Sequence, residues 1–163
     1  MKKYISLIIL VLSLFGCQQN KVVDGIPGSS ISILINSLTN DGYLVQKFDS
    51  TLIDNKIESY EYEFINDDVQ YGVLFHLGEN NTSKIWSFRA TNIDNDSIKT
   101  LDFFIAIASF NYKDSNPDKV KNWLIANFDN SDSEITVGNV HFQINVESEN
   151  KRWLFVEQVQ SVR

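Results

Sequence analysis

Between Tyr43 and Thr91 the chain alternates apolar and polar residues in four successive stretches. In Tyr43 to Phe48, Leu44, Gln46 and Phe48 fall on one side. In Lys56 to Ile65, Tyr60, Tyr62 and Phe64 oppose Ser59, Glu61 and Glu63. Val69, Tyr71, Val73, Phe75 and Leu77 share a side of the third stretch, and Trp86, Phe88 and Ala90 a side of the fourth. A period of two places successive side chains on opposite faces of extended backbone, so these stretches are strands. Asn66-Asp67-Asp68 and the run from Gly78 to Ser83 supply turns between them. Short turns and one polar side predict an antiparallel sheet that is wet on one face. The pattern returns near the C-terminus. Glu134 to Val137 leads into Gly138-Asn139, a two-residue hairpin signal, and Val140, Phe142, Ile144 and Val146 alternate beyond it. Glu147 to Asn150 turns the chain into a last strand, Lys151 to Gln160, with Trp153 and Phe155 on one face.

Elsewhere the spacing is helical. Ser29 or Ser30 can cap a helix carrying Ile31, Leu34, Ile35 and Leu38 on one side, which Gly42 ends. Asn95-Asp96-Ser97 caps a second, with Ile98, Leu101, Ile105 and Ala108 on its apolar face and Phe104 beside them. Asn116-Pro117-Asp118 starts a third, with Val120, Trp123, Leu124 and Phe128 as its stripe. The order is helix, strands, helices, strands. Helices grouped beside runs of strands predict an α+β fold: one curved antiparallel sheet of about six to seven strands, with two to three helices packed on one face. The layout resembles the helix-and-meander architectures of some small secreted inhibitor and binding domains, in architecture only.

Ahead of the domain, Lys2 and Lys3 precede Tyr4 to Phe15, twelve residues without a charge. A bilayer needs about 20 apolar residues to be crossed by a helix, so the run is too short to span and has the form of a secretory signal. It ends Leu14-Phe15-Gly16-Cys17, which resembles the lipobox of bacterial lipoprotein precursors. Leu14 and Gly16 match that motif; Phe15 departs from it at its most tolerant position. The resemblance implies lipid transfer to the Cys17 sulfur and cleavage between Gly16 and Cys17. The expected organisation is a cleaved leader over 1–16, a lipidated cysteine with a polar tether over 17–28, and a single α+β domain over 29–163. Removing the leader takes away Lys2 and Lys3, leaving 12 basic against 21 acidic residues, a net of −9. Such a body is repelled by anionic lipid and by nucleic acid, so the lipid itself is the expected membrane contact. In sorting of the enteric type an aspartate after the cysteine retains a lipoprotein on the inner membrane. Gln18 stands there instead. That resembles the exported class and implies the periplasmic side of the outer membrane in a two-membrane cell, or the outer face of the cytoplasmic membrane in a one-membrane cell.

No catalytic residue, metal site or cofactor is expected in the folded part. One cysteine excludes an internal disulfide, and no nucleophile elbow, phosphate loop or calcium loop occurs. His76 and His141 are the only side chains with an ordinary pKa near neutrality. Each lies out of phase with the apolar set of its strand, where a solvated histidine is the ordinary case, although two on one wet face could meet around a metal. Tyr60, Tyr62 and Tyr71 are read as core aromatics, with an exposed strip for a peptide or glycan as the alternative. The leading expectation is a non-enzymatic, lipid-anchored module of the envelope that binds a protein or glycan, of the inhibitor or immunity type. Two other readings stay open: an envelope hydrolase using His76 or His141, and a structural subunit of an envelope complex.

Overall fold

The computed structural model describes residues 25–159, apart from 55, 79–80, 95 and 150. Among the described residues there are three helices and seven strands, in the expected order. Helix α1 (Ile31–Asn40) precedes a meander of β1 (Leu44–Ile53), β2 (Lys56–Asn66), β3 (Val69–Gly78) and β4 (Asn81–Asn92). Helices α2 (Ser97–Ala108) and α3 (Pro117–Asn127) lead to a second meander, β5 (Ser133–Val137), β6 (Val140–Ser148) and β7 (Lys151–Gln158). All seven strands form one sheet in the order β1-β2-β3-β4-β7-β6-β5, with every neighbour antiparallel. The two meanders therefore join where the last strand of each meets the other, and the sheet stays open at β1 and β5.

Side-chain oxygens set the helix starts. Ser30 accepts from the Ile33 N–H, Asp96 from the Lys99 N–H and Asn116 from the Lys119 N–H, with Pro117 in the first turn of α3. Asp67 and Asp68 both take positive φ between the paired residues Asn66 and Val69, the twist a two-residue hairpin requires.

One face of the sheet is dry. Phe64, Tyr71, Val73, Phe75, Phe88 and Ala90 of the first meander join Val140, Phe142, Ile144, Leu154 and Val156 of the second in one core. Leu34, Leu38, Val120 and Leu124 bring α1 and α3 onto it. The core also reaches back to Ile26, which is buried and donates its N–H to the Ile85 carbonyl at 2.7 Å. The aromatics of the sheet are mostly structural. Tyr71 lies 4.4 Å from Phe103 and 5.5 Å from Tyr43 between ring centroids. Burial, then Asp102, Asp41 and Asp67, push the Tyr43 hydroxyl up to about 12.

Four local expectations are corrected. In β1 a register shift between Val45 and Lys47 puts Phe48 on the side of Val45 and not on that of Leu44. The buried side of α2 is Thr100, Phe103, Phe104, Ile107 and Ala108, while Ile98 is 78% exposed and Leu101 and Ile105 lie at the margin. The helix is apolar over most of its circumference, so spacing alone admits either orientation, and the larger rings take the interior. In β4 a register shift opposite His76 and Leu77 inserts an extra residue, so Ile85 is buried and Trp86 is exposed instead of sharing the side of Phe88. Trp123 is only partly buried, at the edge of the stripe that Val120 and Leu124 centre.

The β5–β6 turn carries a steric requirement. Gly138 has φ 61°, and a Cβ there would clash with the Asp114 carbonyl group. Backbone on both sides leaves no flexible group to yield. Gly138→Ala is expected to lower stability by about 1–3 kcal/mol, measured as a fall in the urea midpoint at unchanged slope; an unchanged midpoint would show that the 114 loop is free to move away.

Candidate functional site

The helices and the strand alternation leave the other sheet face open. Its side chains follow from the register, because residues paired across strands share a face. One transverse row runs Ser59, His76, Ser87, Glu157, His141 and Thr136. The next runs Glu61, Leu74, Arg89, Phe155, Gln143 and Glu134. A third runs Glu63, Gly72, Thr91, Trp153 and Asn145.

Both histidines stand in the first row, on β3 and β6, with β4 and β7 between them. Three strand spacings put them about 14 Å apart, too far to share a metal ion. No group of three or more His, Cys, Asp or Glu side chains able to hold a metal occurs among the described residues. His141 is engaged at both nitrogens, with Nδ1 3.1 Å from Thr136 Oγ1 and Nε2 3.6 Å from Glu134 Oε2. Partial burial and the Arg89 charge hold His76 below the ordinary imidazole range, against the pull of Glu58. Ser59 and Ser87 flank His76 in the register. Cys17 and Gly16 lie outside the described residues.

The centre of the face has a different character. The Arg89 guanidinium lies 5.2 Å from the Trp153 ring centroid and the Lys151 ammonium 5.4 Å from it. The Trp153 indole donates to Glu147 Oε2 at 2.8 Å, and Lys151 Nζ lies 3.5 Å from the same oxygen. The Trp153 bond, helped by Lys151, holds the Glu147 carboxyl below its usual range. Phe155 is exposed beside Arg89, and Leu74 flanks Arg89 on the other side. Glu61 and Glu63 bound this cluster toward β1, Glu134 and Glu147 bound it toward β5, and Glu157 lies beyond Phe155 along β7. Tryptophan, arginine and phenylalanine at the centre of a polar rim are the composition of protein-binding surfaces: rigid apolar rings supply buried area, and the fixed guanidinium supplies directional bonds.

The alternation located Trp153 and Phe155 on one face without saying which. Apolar residues occupy both phases of β7, and Arg152, in phase with Leu154 and Val156, takes the dry side.

No family model, no curated protein and no solved structure matches the chain. Among the described residues no helix is long and apolar enough to cross a membrane.

Proposed function

We propose that this protein is a non-enzymatic lipoprotein of the bacterial cell envelope, anchored through lipid on Cys17, that binds a protein partner with its open sheet face. The observation that carries the binding reading is the Arg89–Trp153–Phe155 cluster, ringed by carboxylates on the face opposite the one on which the three described helices pack. Carboxylates around an aromatic and cationic centre suit a partner with basic groups at its rim, as an inhibitor or immunity-type module requires. The anchor reading rests on Lys2, Lys3, the uncharged run, Leu14, Gly16 and Cys17. The seven residues from Gln18 to Asp24 separate Cys17 from Gly25, which packs against Ile85 of β4. Fully extended they reach at most about 25 Å, which keeps the domain near the surface that holds the lipid. The outer membrane, on its periplasmic side, is the proposed location in a two-membrane cell.

The full chain expressed in cells tests both parts. A photoreactive residue at Phe155 or Arg89 should give one saturable adduct, lost in Trp153→Ala; the same probe at Lys121, on the exposed side of α3, should give none. Cys17→Ser should leave uncleaved precursor that takes up no fatty acid. Equal adducts at Phe155 and Lys121 would sink the binding face, and fatty-acid labelling that survives Cys17→Ser would sink the anchor.

A further inference from the structure

The two edges of the sheet differ. β5 is only five residues long, and α3 packs beside it. β1 is ten residues long, contains neither proline nor glycine, and has nine exposed residues. Leu44, Val45, Phe48, Leu52 and Ile53 are each between 42 and 61% exposed. A long apolar edge with unpaired backbone groups is a template for another strand, and soluble proteins usually blunt such an edge. On β1 the regular stretch between two register shifts runs from Lys47 to Thr51. There Phe48 lies opposite Tyr62, with its ring centroid 4.9 Å from Tyr62 and 5.4 Å from Tyr60, on the side of the sheet that carries the helices. Lys47 and Asp49 lie opposite Glu63 and Glu61, on the open side.

We infer that β1 pairs antiparallel with β1 of a second copy of this chain, about a two-fold axis at Phe48, merging the two sheets into one. The order of residues along the strand selects the occupant. A two-fold axis perpendicular to the sheet keeps the helices of both copies on one side. Residues facing each other across it must then share a sheet face, so one residue sits opposite itself. With Phe48 at the axis, Lys47 faces Asp49 of the second copy and Asp49 faces its Lys47, so both charge pairs are complementary. With Asp49 at the axis two carboxylates would collide, and like charges directly opposite oppose pairing. Lys47 Nζ already lies 2.9 Å from Glu63 Oε1, so the second copy's Asp49 would add a second carboxylate to the same ammonium. This pairing uses the edge of the sheet and is independent of the open face and of the lipid.

The test uses the full chain with Phe48→Cys. Directly opposed residues of an antiparallel pair have Cα atoms about 4.5–5.5 Å apart, within the range a disulfide bridges. Mild oxidation of whichever cell fraction holds the chain should give a covalent dimer. Adding K47D alone, or D49K alone, places like charges at both pairs and should reduce the dimer about tenfold. Coexpressing the two variants restores opposite charges across the axis and should restore the dimer as a heterodimer, resolved by a size tag on one chain. The parent chain reports any linkage through Cys17, and Ile125→Cys on the exposed side of α3 reports random collision; both should stay monomeric. No dimer from Phe48→Cys, a dimer no stronger than from Ile125→Cys, or no rescue on coexpression would each overturn the pairing.

Discussion

Phe103→Ala should unfold the protein at markedly lower denaturant, with a loss of about 3–5 kcal/mol, as for other buried rings truncated to alanine. Phe103 is fully buried on α2 and meets Tyr71 at 4.4 Å, Tyr43 at 5.1 Å and Phe64 at 6.2 Å between ring centroids. It therefore joins α2 to strands β2 and β3 and to Tyr43, immediately before β1. Truncation leaves a hole lined by rigid rings that cannot collapse into it, so the cavity term adds to the lost transfer free energy. Ile98→Ala on the same helix is the control. Ile98 is 78% exposed, and its truncation should stay within about 0.5 kcal/mol. Urea unfolding of both variants measures the difference. Equal losses would mean that α2 docks by the face that Ile98 and Leu101 define.

The second large effect is expected at Arg152, the charged residue on the dry side of the sheet. It is 6% exposed, and each nitrogen of its guanidinium donates a hydrogen bond: Nε to the Phe128 carbonyl at 3.1 Å, Nη1 to the Glu149 carbonyl at 2.8 Å, and Nη2 to Asp129 Oδ1 at 2.5 Å. Its Cζ lies 4.6 Å from the Phe128 ring centroid, so the cation also covers an aromatic face. The three bonds tie the end of α3 and the β6–β7 turn to β7. Arg152→Met keeps an apolar stem of similar length and removes every donor, leaving the Phe128 carbonyl without this partner. Hydrogen bonds to a charged group contribute about 1.5–3 kcal/mol each, so a loss of about 3 kcal/mol is expected. Arg152→Lys should recover only part of it, because an ammonium cannot reproduce the planar fork. If Arg152→Met melts with the parent, the network contributes nothing net, as replacement of a buried ion pair by apolar groups sometimes does.

Much of the architecture was legible because it is periodic. The alternation of Val69, Tyr71, Val73, Phe75 and Leu77 can be satisfied only by a strand with one dry face, and Asn116-Pro117-Asp118 can hardly be read except as a helix start. Legibility failed where both phases of an element carry apolar residues. In α2, Ile98, Leu101 and Ile105 compete with Phe103, Phe104 and Ile107 for the interior, and in β7, Trp153 and Phe155 compete with Leu154 and Val156. It failed again at Trp86, where one extra residue shifts the side on which everything before it falls. The candidate binding face was unread for the same reason. Leu74, Arg89, Trp153 and Phe155 belong to three strands, and nothing in their spacing brings them together.

What this sequence determines by itself is therefore local: the strands and helices, their caps and turns, and the α+β class. Each of these follows from neighbours a few positions apart. The tertiary structure alone decided that β4 pairs with β7 and not with an outer strand, which makes two meanders into one sheet. It also decided that a buried guanidinium holds α3 against that sheet. Those outcomes depend on residues such as Thr91 and Trp153, paired across β4 and β7 but far apart in the chain. Contacts at that separation are selected by the burial and hydrogen-bond satisfaction of the whole molecule, and no local period encodes them.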